Sequence, residues 1–369
     1  MKKIHICFHI TAISNCGGTE QVTTQISNLL LKNYDYYDIS ILSTFYDESV
    51  GPFFKGDKNI HYDGIFNKKT NIKLKYFTVV KKIREYVKKH GVDVLVGVDT
   101  IQALFDLPAV KGTKCKYIAW EHFNYNFNLG VKLRDYGRKY AAKNADALVV
   151  LTDRDKKLFQ KHLNIKAKII HIYNPFIMPK ELSKYDYSRK IIMSSGRLTY
   201  QKGFDILLEV ARLLREKTQD FKWIILGEGE DRKFLEQKIQ EYGLNGLVEL
   251  KGRVSDVSKY YKHSRMFVLT SRFEGFALVI LEAKAYGLPI VSFNCDCGPD
   301  ETVENNVNGY LIDDFDEKTM SDKIYELLCD DEKCLQFSKK ANLGTERFNE
   351  KLIIKMWDDL FKELLEEEI

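Results

Sequence analysis

The sequence has no run of about 18 uninterrupted apolar residues in its 369 positions, so no segment is suited to cross a membrane as a helix. Its opening residues, MKKIHICFHI, lack the long apolar core and small-residue cleavage site of a secretory signal. Their polar residues alternate as in a strand. Paired cysteines are missing as well. The seven cysteines are scattered, an odd count that favours reduced thiols and a cytoplasmic setting over a disulfide framework. Cys295 and Cys297 stand close together but without the further partners a zinc site needs. What remains, 44% hydrophobic and 30% charged residues, is the composition of a soluble globular chain with substantial cores, and the length favours two domains.

Charge is unevenly divided. Residues 1–180 hold 29 Lys/Arg against 16 Asp/Glu, whereas residues 181–369 hold 28 against 36. A basic half joined to an acidic half suggests that the first faces something anionic. The densest stretch, KKTNIKLKYFTVVKKIREYVKKH (68–90), has nine Lys/Arg and one Glu. Ile72, Phe77, Val80, Ile83 and Val87 are available there for an opposite, apolar face. Nucleic acid, anionic lipid and a pyrophosphate-bearing substrate all fit this pattern, as does a simply solvated helix.

Short apolar runs alternate with amphipathic helical patterns along the whole chain, which predicts an α/β fold of parallel sheets covered on both faces. In the first half the strand candidates are 3–10, 37–43, 92–98, 116–122, 145–152 and 168–174. A helix from about Glu20 to Lys32 places Val22, Ile26, Leu29 and Leu30 on one face. The segment 173–188 carries two prolines and little periodicity and reads as a linker. The pattern then restarts at KIIMSSGRL (190–198), which predicts two doubly wound domains with ligands at the carboxyl ends of their strands.

Three loops at predicted strand ends carry chemistry. Gly17-Gly18 before the first helix has the shape of a phosphate loop, with free amides and no side chain to block approach, but is equally the sequence of a plain turn. In SSGRLTYQKGFD (194–205), Gly196 relaxes a turn while Arg197 and Lys202 offer a bidentate fork and a point charge, suited to a diphosphate. The third, EGFALVILE (274–282), sets two carboxylates eight residues apart in an apolar context. Glu274 falls in the loop, the amides of Phe276, Ala277 and Leu278 open a helix ending near Tyr286 and Gly287, and Glu282 lies about a turn and a half inside. A carboxylate among such neighbours costs several kcal/mol unless it pairs with a cation or receives a ligand. Ribose hydroxyls on Glu282, pyrophosphate on the amides and a hexose on Glu274 would satisfy the set.

Together SGRLTYQKGFD, LGEGE, SRFEGFALVILEAKAYGLPIV and the early GGTEQ resemble the retaining GT-B glycosyltransferases of family four, over nearly the whole chain. The resemblance implies two Rossmann-like doubly wound domains facing a central cleft. Residues 1–175 would bind the acceptor and 176–348 the nucleotide sugar, and a terminal helix (349–369) would cross back to the first domain. It places the family's glutamates on Glu274, which would contact the hexose and stabilise the transition state, and on Glu282, which would bind ribose. Its diphosphate cations fall on Arg197 and Lys202, its glycine loop on Gly17 and Gly18, its cleft histidine on His122, and its base-reading segment on Arg253 and Val254. The family often has a small residue or glycine where Ala277 stands, with proline or glycine nearby, so its sugar contacts do not carry over in detail. The loop NCDCGPDE (294–301) is similar to members that use uridine-linked hexoses in polysaccharide assembly.

The reaction so implied displaces UDP from an anomeric carbon with retention, without metal or other cofactor. DDFD (313–316) reads as a turn and helix cap rather than a metal cluster. No nucleophile for a double displacement is identifiable, and the resemblance implies same-face attack. The expected acceptor is an undecaprenyl-diphosphate-linked glycan, met by the aromatic and basic segment 123–140. The first domain is expected on the anionic inner face of the plasma membrane, with no nucleic acid involved. Two rivals share these residues: a nucleotide-sugar epimerase or hydrolase, which needs no acceptor, and a non-catalytic binding subunit.

Overall fold

The alternation of strands and helices resolves into two parallel sheets in the computed structural model, which describes residues 3–179, 185–296, 298–313 and 315–366. The first unit comprises Met1–Pro175 together with Phe348–Ile369, and the second Phe176–Arg347. Cys297, Asp314 and residues 180–184 of the proline-bearing segment lie outside the described residues.

The first unit contains β1 (Ile4–Ile10), α1 (Gly18–Asn33), β2 (Tyr37–Phe45), β3 (His61–Phe66), α2 (Tyr76–His90), β4 (Val94–Val98), α3 (Ala103–Val110), β5 (Lys116–Trp120), α4 (Lys132–Asn144), β6 (Ala147–Val150), α5 (Asp153–His162) and β7 (Lys168–His171). Its strands lie in the order β3-β2-β1-β4-β5-β6-β7. The central ones are buried on both faces, which is why they read as continuous apolar runs. β3 gave no such signal. It is an edge strand, HYDGIF, mostly half-exposed and paired only with β2.

The second unit contains β8 (Ile191–Ser195), α6 (Phe204–Arg215), β9 (Lys222–Leu226), α7 (Arg232–Glu241), β10 (Val248–Gly252), α8 (Ser258–Lys262), β11 (Met266–Leu269), α9 (Leu278–Ala285), β12 (Ile290–Phe293), α10 (Pro299–Thr302), β13 (Gly309–Ile312), α11 (Glu317–Cys329) and α12 (Asp331–Lys339). The strand order is β10-β9-β8-β11-β12-β13. In both sheets the order reverses beside the first strand, so the crevice of a doubly wound sheet opens between β1 and β4 and between β8 and β11. Asp316 caps α11 by accepting from the Thr319 amide at 3.0 Å.

Helix α13 (Glu350–Glu366) follows the second unit in sequence but belongs to the first. Because side chains alternate across a strand, Phe8 and Trp120 face away from the core that Cys7 and Ala119 share with α2–α5. α13 covers that second face. Trp357 meets Trp120 edge-on at 5.0 Å and Phe361 meets Tyr37 at 5.8 Å. Buried Asp358 accepts from both Tyr36 and Tyr37 hydroxyls at 2.7 Å.

The basic stretch departs from the expected pattern. α2 begins only at Tyr76, and Val79, Ile83 and Val87 are its buried residues. Phe77, two residues and about 200° from Val79, projects into solvent with 84% of its surface exposed. It does not belong to the inner face.

Truncating Trp357 to Ala should cost about 3–5 kcal/mol in urea unfolding of the first unit, since a fully buried indole leaves a large cavity. A loss below about 1 kcal/mol would contradict the view that α13 completes this core.

Candidate active site

Three loops meet at the carboxyl ends of β8, β11 and β12. The first approach depends on glycine. A Cβ at Gly227 would fall 1.9 Å from the carbonyl oxygen of Gly196, and one at Gly229 would fall 2.1 Å from that of Leu198. The LGEGE sequence after β9 therefore lets the loop after β8 lie directly against it. The loop after β11 is tied to its neighbours by backbone bonds: Arg272 N donates to Gln201 O at 2.8 Å, and Glu274 N to Asp296 O at 3.2 Å. Arg272 also forks onto Asp205 at 2.6–2.8 Å and lies 4.1 Å over the Tyr200 ring.

Within this frame Lys202, from the β8 loop, and Glu274, from the β11 loop, meet across the topological switch point with Nζ and Oε1 2.6 Å apart. Ser271 Oγ donates to the same carboxylate oxygen at 2.6 Å. Both charged side chains are largely withdrawn from water, 17% and 6% exposed, so each needs the other. The Lys202 stem lies against Gly196. Arg197 turns outward instead, 76% exposed, with Glu230 at 3.5 Å.

The helix start is shorter than the sequence suggested. α9 begins at Leu278, and Ala277 ahead of it holds a left-handed conformation (φ 41°, ψ 51°). Phe276 and Ala277 are buried in the loop, so only Leu278 of the three expected amides opens the helix itself. The strained turn packs against the β12 loop, where Gly298 lies beside Glu274 and Ala277. Glu282 is the fifth residue of α9. Its partner is neither lysine nor arginine: the Tyr261 hydroxyl donates to it at 2.9 Å. Burial raises its pKa, and the tyrosine only partly offsets that. Arg253 and Val254 follow β10, Arg253 exposed and Val254 half-buried.

The other predicted residues stand in the first unit. At Gly17 the N-cap of α1 is bare of side-chain capping, and the Glu20 carboxylate folds back over it, accepting from Thr19 Oγ1 at 2.8 Å. The position of Gly18 is open. His122 follows β5. Its ring lies 4.2 Å from Trp120, and its Nε2 is buried with no partner among the described residues. Burial lowers its pKa to about 4 against the opposing pull of Glu121, so the ring is neutral near pH 7.

Sequence reasoning missed what holds His122. Glu121 accepts from the amides of His122 and Phe123 at 3.1 and 3.0 Å and from Thr100 and Arg138 at 2.6 and 2.8 Å. Arg138, fully buried, also donates to the carbonyls of Asn124, Tyr125 and Phe127. Burial opposes ionisation of Glu121, but Arg138, Thr100 and Arg134 together outweigh it and hold the carboxyl below its usual range. Ser271, Tyr261 and Asp296 were missed for the same reason. They reach the site from separate loops, and no spacing announces them.

Two parallel doubly wound units, one with a lysine–carboxylate pair at its switch point, define a GT-B architecture. The chain belongs to the glycosyltransferases: residues 16–177 match the model described as Glycosyltransferase Family 4, and residues 179–343 that of Glycosyl transferases group 1. It is 36% identical over 359 residues to an uncharacterised glycosyltransferase of Haemophilus influenzae, covering 97% of this chain and 99% of that one. It is 29% identical to the amylovoran biosynthesis glycosyltransferase AmsD of Erwinia amylovora (95% and 97% covered). It is 26% identical to a Campylobacter jejuni α-1,4-N-acetylgalactosaminyltransferase named for an undecaprenol-diphosphate-linked acceptor (88% of each). Among solved structures, Staphylococcus aureus TarM in a complex that includes UDP superposes with a TM-score of 0.80, covering 98% of this chain and 100% of that one at 18% identity.

Because the folded-state pKa of Glu282 is raised, its contribution to stability is fully present below the unfolded-state pKa and is lost as pH rises through the folded value. Glu282→Gln should therefore raise the melting temperature near about pH 8, and the gain should shrink toward about pH 4. A gain independent of pH would remove the buried charge as its cause.

Proposed function

We propose that this enzyme transfers a hexose or N-acetylhexosamine from a UDP-sugar, with retention, to a glycan carried on a lipid diphosphate, in the assembly of a surface polysaccharide such as capsule, O-antigen or exopolysaccharide. The observation that carries this reading is the Lys202–Glu274 pair at the β8/β11 crevice, where a doubly wound sheet receives its ligand. The names of AmsD and of the Campylobacter enzyme support the polysaccharide setting and the lipid-linked acceptor, and the UDP complex of TarM supports the donor. The basic character of the first unit supports placement against the anionic inner face of the plasma membrane, in the cytoplasm.

In this reading the bond between the anomeric carbon and the β-phosphate oxygen breaks, and negative charge grows on the departing UDP. Lys202, already held on the site by Glu274 and the Gly196 turn, meets that charge, and Arg197 swings in from solvent to the diphosphate. Arg253 and Val254 border the base, Glu282 and Tyr261 the ribose. Glu274 contacts the hexose and supports the oxocarbenium-like centre. The acceptor hydroxyl attacks from the face the phosphate leaves, and its proton passes to that phosphate. His122, neutral and with Nε2 unused, offers a hydrogen bond to a sugar hydroxyl. No step calls for a metal.

UDP should raise the melting temperature with chelator present, by the equivalent of about 2.7 kcal/mol at 100 times its dissociation constant. Abolition of the shift by chelator would end the metal-free reading. Incubation with labelled UDP-sugars, with and without membrane extract, tests the reaction itself. Label should enter a lipid fraction, whereas free sugar or an epimer formed without acceptor would favour the hydrolase or epimerase reading.

Glu274→Gln should cripple turnover by about a hundredfold or more. It should leave UDP affinity unchanged or improved, since it removes the anion facing the diphosphate. Glu282→Ala should weaken UDP binding by about tenfold through lost ribose bonds. Calorimetry on both variants separates the roles, and equal loss of affinity in the two would merge them.

A further inference from the structure

Exposed apolar side chains in the first unit collect at one end of the sheet. Leu74 and Phe77, at the entrance of α2, are 85% and 84% exposed. Leu129 and Val131 precede α4, and Tyr136 and Tyr140 stand on its outer face. These two helices share a core with α3 between them. The Tyr76 ring packs on Phe105 at 5.4 Å, its hydroxyl donates to Leu104 O at 3.0 Å, and Tyr140 is its neighbour from α4. Leu74 and Phe77 at the start of one helix and the residues of and before α4 therefore border one outer surface.

The charges around them are mostly positive. Lys73, Lys75 and Lys81 are exposed beside the first group, and Lys132, Lys139 and Lys143 beside the second. The acids on these two helices are occupied: Glu85 lies 3.8 Å from Lys81, and Asp135 accepts from Asn128 at 2.6 Å. A side chain such as Phe77 loses free energy by standing in water, and a solvated face gains nothing from presenting it. Apolar tips, tyrosines with apolar rings and polar ends, and surrounding lysines together match the layered chemistry of an anionic bilayer surface. A nucleic acid would use the lysines and leave Leu74 and Phe77 without a partner.

We propose that Leu74 and Phe77, with the Leu129–Tyr140 segment beside them, insert into the headgroup region of an anionic membrane, and that the lysines draw the surface there. This rests on the membrane reading above and deepens it: attraction alone would be undone by salt, whereas inserted side chains resist it. The geometry also bears on the acceptor. Residues 129–131 and His122 both follow the carboxyl end of β5, so the inserted surface and the residue proposed to meet the acceptor sugar share one end of the sheet.

The test is sedimentation of the full-length protein with phosphatidylglycerol–phosphatidylcholine vesicles. Wild type should bind at low salt and keep part of that binding at about 0.5 M salt. The Leu74→Ser/Phe77→Ser double variant should bind about tenfold more weakly and be released entirely at the higher salt. Both side chains are exposed, so an unchanged melting curve will show that the variant is folded. Reversing Lys73, Lys81, Lys132 and Lys139 to Glu should abolish low-salt binding. All three native tryptophans are buried, so Phe77→Trp supplies a single exposed reporter whose fluorescence brominated acyl chains should quench. Serine-variant binding equal to wild type at both salts, or an unquenched reporter, overturns insertion while leaving electrostatic attachment standing. Failure of wild type to bind anionic vesicles at any salt overturns the membrane reading as a whole.

Discussion

The ion pair between Lys202 and Glu274 ties the second unit together at its one topologically special place. Neither charge is well hydrated, and each is delivered by a loop of a different strand, so the pair forms only if β8 and β11 are neighbours and both loops are held. The glycines at 227 and 229, the Arg272–Asp205 fork and the bridge from Phe273 to Asp296 are the means of holding them. A buried pair of this kind adds little net stability, because desolvation consumes most of its attraction. In the proposed reaction, what it supplies is a cation kept in place before the donor arrives, with its counter-charge at hand for the sugar.

The two units use opposite strategies at corresponding strand ends. In the second, the site is a mostly buried lysine held against a buried carboxylate, with Arg197 of the same loop turned out to solvent. In the first, the strand end bearing His122 is filled by protein: Arg138 gathers Glu121 and three carbonyls of the following loop into one buried network. That rigidity suits a loop that must hold a neutral imidazole without bonding its Nε2. The mouth of α1 is occupied too, since Glu20 supplies negative charge over Gly17.

Much of the fold was legible in the sequence because parallel strands buried on both faces are apolar throughout and the helices between them are strongly amphipathic. β3 escaped because an edge strand has one neighbour and needs few apolar residues. Phe77 was misassigned because it lies about 60° from Val80, and the apolar pattern alone does not say that the buried arc is centred on Val79, Ile83 and Val87 instead. For the site, Lys202 and Glu274 could be read because each lies in a recognisable strand-loop-helix segment. Tyr261, Ser271 and Arg138 could not. Their contribution arises only when distant loops meet, and nothing local distinguishes them from an ordinary tyrosine, serine or arginine.

Helix α13 is separated from the rest of its unit by the entire second unit, Phe176–Arg347. A ribosome that has finished β7 must therefore make the whole second unit before it reaches Trp357. At ordinary elongation rates that delay is roughly ten to forty seconds. Throughout it the nascent sheet has an apolar seam along Tyr37 and Trp120 and two tyrosine hydroxyls still without Asp358. Birth of this enzyme thus includes an interval in which α1 alone covers the second face of its first sheet, and chaperones that recognise bare aromatic surface have a defined window in which to meet the part that α13 will close.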